Sequence, residues 1–200
     1  LQRKIIQGDL TDIFNLESEL FHVLFAMKKK GVRIDLDKAA TIKVDFEKEE
    51  NKVRRSLNKT CGFDLEILSP LSIAKAFDKL KIEYSKTPSG LPAFDKNFLL
   101  NQPSKFAQDI VKAREFNKAR TTFIDSILKH AHNGRIHADV NQMRSETGGT
   151  ISGRLSMQNP NLQQMPTRNQ NIGPKIRELF IPEEGEQWGC FDYSQQEHRS

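Results

Sequence analysis

Apolar residues Leu16, Leu20, Val23, Leu24 and Met27 recur every three or four positions and stop before Gly31. That spacing predicts an amphipathic helix with a glycine stop. Lys28, Lys29 and Lys30 fall in its last turn, where the helix dipole favours cations, and read as a solvated end rather than a nucleic-acid patch. A second helix is expected from Asp35 or Asp37 to about Cys61, with Gly62 as its stop. Its middle, Asp45 to Arg55, mixes both charge signs with few apolar residues, so it should project into solvent with one narrow packed stripe. Ser69-Pro70 suits the N-cap and first turn of a short helix ending at Leu80. SKTPSGLP, residues 85–92, reads as an exposed loop. After Pro103, a stripe of Phe106, Ile110, Ala113, Phe116, Phe123, Ile127 and Ala131 marks a third long helix, which Asn133-Gly134 should end. Lys112, Arg114, Lys118, Arg120 and Lys129 also lie on it. Two long helices joined by short pieces predict an extended α-hairpin.

Past this helix the period shortens. Arg135 to Val140 alternates like a short strand, and Trp188-Gly189-Cys190-Phe191 reads as a buried strand with Asp192 at its end. Between them, from Asn141 to Arg177, stand ten Asn or Gln residues, five Lys or Arg and a single acid, Glu146. This stretch forms helix poorly but presents many hydrogen-bonding side chains in a positive field.

Composition narrows the class. Of 200 residues, 36% are hydrophobic and 28% charged, which fits a globular chain and excludes disordered or collagen-like ones. No apolar run approaches the roughly 18 residues of a membrane helix. The opening LQRKIIQGDLTD lacks both a signal-peptide pattern and an initiator Met, as expected of an excised piece. A net charge of +5 favours a polyanionic partner. Cys61 and Cys190 lie too far apart in sequence to suggest a disulfide framework or metal cluster, so a reducing compartment is expected.

Three segments could carry chemistry. GGTISGRLS, residues 148–156, has glycines that allow close backbone approach and Arg154 just after Gly153. No Lys-Ser/Thr follows them, so it is no P-loop, and a turn between strands is the plainer reading. NPNLQQMPTR, residues 159–168, could be turn residues; flanked by Arg154 and Arg168, it could equally line a nucleic-acid groove. In FDYSQQEHR, residues 191–199, an aspartate leaving a strand could hold a divalent ion or simply cap a turn. A two-metal site needs a second acid from elsewhere.

In this order the three segments resemble family A DNA polymerases, the group of bacterial DNA polymerase I. The match is carried by SGRLSMQNPNLQQMPTR at 152–168, IRELFIPEEG at 176–185 and DYSQQEHR at 192–199, the last resembling the family's motif A. The GGTxSGRxS start and the paired glutamines resemble phage-encoded members. Upstream, ELFHVLFAMKKKGVRID is similar to the helix opening the polymerase domain, SKTPSGLP to the thumb-tip loop, and REFNKARTTF to a thumb helix end facing DNA.

The resemblance implies an α+β fold. Residues 1–34 form a helix at the base of the polymerase domain, 35–132 a helical thumb, and 133–200 the start of an antiparallel-sheet palm. It implies template-directed DNA synthesis with two Mg²⁺ ions, primer–template DNA and dNTP as partners, a monomer and a cytoplasmic location. Asp192 would be the first catalytic carboxylate, the Tyr193 carbonyl a further metal ligand, and Glu197 the residue excluding a 2′-hydroxyl. Arg154 would read the minor groove at the primer terminus. Asn161, Gln163 and Arg168 would line the duplex, and Arg114 and Lys118 would lie near DNA backbone. His198 stands where the family has Leu or Pro, and the stretch from His137 to Arg154 is longer than in cellular members. The fingers helix and the second catalytic carboxylate are not in these 200 residues, so the piece alone is expected to bind DNA without catalysis. A non-catalytic nucleic-acid-binding module and a single-subunit RNA polymerase fragment are the competing readings. Glu197 speaks against the second.

Overall fold

A computed structural model describes residues 2–146, 148–167 and 169–195. In chain order the elements are α1 (Gln2–Gln7), α2 (Thr11–Lys30), β1 (Val32–Ile34), α3 (Leu36–Cys61), α4 (Pro70–Leu80), α5 (Lys96–Asn101) and α6 (Lys105–Lys118). A π-helical segment (Ala119–Ile124), α7 (Asp125–His130), β2 (Ala131–His132), β3 (Arg135–Ile136), β4 (Asp139–Asn141) and β5 (Ser156–Gln158) follow. A 3₁₀ turn (Leu162–Gln164), α8 (Gly173–Arg177) and β6 (Phe180–Ile181) complete the order. Helices and antiparallel sheet make the fold α+β, as expected.

The chain divides into two units: residues 36–130 with 164–177, and residues 1–35 with 131–163 and 178–200. The first is the expected α-hairpin. α3 buries Ala39, Ile42, Phe46, Glu50, Val53, Leu57 and Cys61, a one-sided stripe at helical spacing. Against it runs the continuous helix α6–π–α7, antiparallel, since Lys43 pairs with Asp125 while Glu50 meets Asn117 and Arg120. Phe46 and Phe116 lie 5.9 Å apart between ring centres.

The stripe contains one acid. Glu50 is 3% exposed and accepts from Asn117 Nδ2 at 3.0 Å and from Arg54 and Arg120 at 3.3–3.4 Å. A buried carboxylate is tolerated only when so paired. Two of its partners, Asn117 and Arg120, stand where the facing helix widens into the π segment, a feature that marks a departure from regular packing.

Beyond the hairpin, α4 begins as expected, with Pro70 in its first turn and Ser69 Oγ accepting from the Ser72 amide at 3.4 Å. Phe77 stacks within 4.9 Å of Phe94 and 6.1 Å of Phe106, closing the core. Residues 85–92 form the expected exposed loop, closed on itself by Thr87 N–H to Leu91 O at 2.8 Å.

The second unit holds a four-stranded antiparallel sheet in the order β2-β3-β1-β6 and a separate β4–β5 pair. Four expectations change. First, the third long helix ends at His130, so Ala131 is in a strand. Asn133-Gly134, with φ of 49° and 72°, forms the turn of the β2–β3 hairpin, because both residues adopt the positive φ that such a tight turn requires. Second, Arg135 to Val140 is two strands, β3 and β4, in different sheets. Third, α2 ends at Gly31 as expected, but of its apolar stripe only Leu24 is buried; Leu16, Val23 and Met27 stand exposed. Fourth, residues 186–193 form no strand, and Trp188 and Phe191 are 62% and 96% exposed. A strand of that composition needs ladder partners and a covering layer, and among the described residues it has none of the first.

Candidate nucleic-acid interface

β4 and β5 pair antiparallel with Asp139 opposite Gln158, Val140 opposite Met157 and Asn141 opposite Ser156. The connection between them, residues 142–155, carries the glycine-rich segment. Gly149 has φ +96°, and a Cβ there would lie 2.1 Å from the Met143 carbonyl oxygen. That glycine therefore serves the loop's own close packing. Thr150 Oγ1 donates to the Arg154 carbonyl at 2.6 Å, pinching the loop just where exposed Arg154 leaves it.

From β5 the chain turns through NPNLQQ. Asp139 grips this turn. One carboxylate oxygen accepts from Lys28 Nζ, and the other accepts from Asn159 Nδ2 at 2.9 Å. Asn161 Oδ1 accepts from the Gln163 amide at 3.1 Å, an Asx-type turn. The Gln163 side chain then works as an added strand: Oε1 accepts from Met157 N–H at 3.2 Å and Nε2 donates to Leu155 O at 3.1 Å. Gln163 thus braces the stretch behind Arg154.

In the helical unit, Arg114 is likewise engaged inside the fold. Its Nε donates to Ile67 O at 2.7 Å and one terminal nitrogen to Phe94 O at 2.8 Å. Burial lowers this guanidinium's pKa. Lys118 lies over the Phe123 ring, its Nζ 5.9 Å from the ring centre. With Lys96, Glu115 and residues 164–167 it lines a cavity of about 320 Å³. Glu115 accepts from Lys96 Nζ and from Asn169 Nδ2, each at 2.7 Å. Sequence reading passed over Asp139, Glu115 and Asn169, because the contacts that define them span 19 to 111 residues.

The third segment differs. Asp192 and Tyr193 are exposed, and Asp192 does not leave a strand. Among the described residues no group of three His, Cys, Asp or Glu could hold a metal ion. Glu197 and Arg168 lie outside the described residues, as does His198. Elsewhere in this unit, Glu183 accepts from Arg135 at 2.8 Å. That hydrogen bond, with the charges of Arg135, Arg33 and Lys30, holds its carboxyl below the usual range.

A family model described as DNA polymerase family A matches residues 36–200. Over 208 residues the chain is 36% identical to a DNA-directed DNA polymerase of Pseudomonas phage M6, covering 99% of this chain and 31% of that protein. It is 32% identical over 191 residues to DNA polymerase I of Geobacillus stearothermophilus, covering 92% of this chain and 21% of that one. The POL domain of Pol1 from M. smegmatis, solved in complex with DNA primer-template and dNTP, superposes with a TM-score of 0.78 at 26% identity. That match covers 92% of this chain and 32% of the other. The chain thus spans about a third or less of the relatives it resembles, and along nearly all of its own length it belongs to DNA polymerase family A.

Proposed function

We propose that this chain carries the duplex-holding part of a DNA-directed DNA polymerase, which extends a primer 3′-hydroxyl with dNTP on a template. The observation that carries this reading is the pinned stretch from Arg154 to Gln163. An exposed arginine and a run of amides are fastened from behind by Asp139, Thr150 and Gln163. A backbone fastened beforehand loses little freedom on binding, which is what positioning a reacting end requires. In this proposal Arg154 meets the minor groove at the primer terminus, Asn161 and Arg168 approach the duplex, and Lys118 approaches backbone phosphate. Arg114 and Gln163 contribute chiefly as braces. Glu197 selects deoxyribose.

Family A DNA polymerases use divalent metals generally. In this proposal the ions are two Mg²⁺, with Asp192 as one carboxylate ligand and the Tyr193 carbonyl as another. The described residues do not by themselves fit such a pair: Asp192 stands exposed, and among the described residues it belongs to no group of three His, Cys, Asp or Glu that could hold a metal ion. The site needs a carboxylate from outside them.

The test is primer extension by the intact polymerase and its Asp192→Asn variant. Turnover should fall at least about a hundredfold, the upper end of what losing a ligand's own hydrogen-bond partner costs. Near-normal turnover would remove Asp192 from the reaction.

A further inference from the structure

Along the stretch that carries β3 and β4, every second side chain from Arg135 to Asp139 reaches the last turn of α2. One terminal nitrogen of Arg135 donates to Lys30 O at 3.2 Å, and His137 Nδ1 donates to Lys28 O at 2.8 Å. Asp139 Oδ1 accepts from Lys28 Nζ. The period of two is that of a strand, which sets alternate side chains on one face. Two carbonyls at the end of α2 that lack intrahelical partners are thereby satisfied. Gly31 permits the close approach: its φ is +65°, and a Cβ there would lie 2.7 Å from His137 Nδ1.

Lys28 is thus held twice, by its carbonyl and by its ammonium. Asp139 passes the contact on, because its other oxygen accepts from Asn159 Nδ2 at 2.9 Å. Asn159 opens the turn from which the Gln163 side chain bonds Met157 N–H and Leu155 O, beside Arg154. Stability is a poor reason for this lysine. Its side chain is 49% exposed and that of Asp139 31%, and ion pairs so exposed add little to folding.

We infer that Lys28 is a positioning residue for primer extension: by holding one oxygen of Asp139 it aims the other at Asn159, and so fixes the turn behind Arg154. This rests on the proposed role of Arg154 at the primer terminus. A lysine that met backbone phosphate would instead set DNA affinity and its salt dependence. One that only stabilised the fold would set the melting temperature and leave the rate of the bound complex unchanged.

The experiment measures single-turnover extension and primer–template affinity of the intact polymerase. Lys28→Met keeps the stem and removes the ammonium. Its extension rate should fall about tenfold, within the hundredfold that about one ångström of misplacement can cost. Affinity, and the slope of log affinity against log salt, should stay at wild type. Asn159→Gly removes the amide at the far end and should match Lys28→Met, since glycine accepts the φ of 57° at this position. Lys28→Arg keeps a cationic donor for Asp139 and should recover most of the rate. On an Arg154→Ala background, Lys28→Met should cost no further rate, because residues acting through one contact do not add. A wild-type rate in Lys28→Met or Asn159→Gly, with slow extension in Arg154→Ala, would overturn the positioning role alone. So would a full further loss on the Arg154→Ala background, or a salt slope reduced by about 0.9 in Lys28→Met, the mark of a direct phosphate contact. Wild-type extension in Arg154→Ala would overturn the reading beneath it, and the inference with it.

Discussion

α3 carries a narrow apolar stripe and the segment from Trp188 to Phe191 is apolar, and the two end in opposite states. In α3 each stripe residue from Ala39 to Cys61 is buried against partners of the same unit, and even the acid in the stripe finds three donors. Trp188 and Phe191 remain largely in water, with Trp188 Nε1 donating to Phe180 O at 3.1 Å. An apolar pattern states a need for a partner; it does not supply one. The hairpin contains both sides of its interface, whereas no strand among the described residues pairs with 186–193.

If that contrast is right, disturbing the hairpin should have the largest effect. Glu50→Ala removes the shared acceptor of Arg54, Asn117 and Arg120 and leaves their donors unpaired. Breaking a buried charge pair costs about 3–5 kcal/mol, so the hairpin should melt at markedly lower denaturant in urea titrations. A loss below about 1 kcal/mol would mean that the three donors find other acceptors.

Asp139→Ala should be intermediate. It leaves Lys28 and Asn159 without their shared acceptor, but both sites are partly solvated and water can replace some of the bonding. A loss of about 1–3 kcal/mol is the ceiling for an unsatisfied group. Hydrogen exchange should rise first at the amides of residues 155–163, and unaltered exchange there would show that Asp139 does not hold the turn.

The smallest effect is expected at the other pole. Phe191→Ala in the isolated chain should change stability by no more than about 0.5 kcal/mol, as at an ordinary surface position. A loss of several kcal/mol on thermal unfolding would show that this segment packs after all, and the contrast with α3 would fail.

Local signals were legible in the sequence, and distant ones were not. The start of α4 followed from Ser69-Pro70, the end of α2 from Gly31, the narrowness of the packed stripe on α3 from its charge, and the buried face of α6 from its spacing. Asn133-Gly134 was visible as a breaker, but whether it ended a helix or turned a hairpin depended on β1 standing ready to pair with β3. The apolar face of α2 was visible, its exposure was not, since exposure depends on what else is present. The same holds for the candidate interface. Arg154 stood out beside its glycine, yet the braces Asp139 and Glu115 are ordinary acids until folding brings Asn159 and Asn169 to them. The amide of Gln163 could be read as a donor for DNA, and only the fold shows it bonded to Leu155 and Met157.

The central claim is that the pinned stretch presents Arg154 to a primer terminus. Single-turnover extension by the intact polymerase and its Arg154→Ala variant, with primer–template affinity measured alongside, tests it most directly. Misplacement of a reacting end by about one ångström can cost on the order of a hundredfold in rate. The account therefore predicts a rate loss approaching that size with only a several-fold change in DNA affinity. Wild-type extension kinetics in Arg154→Ala, or a loss confined to affinity, would contradict it.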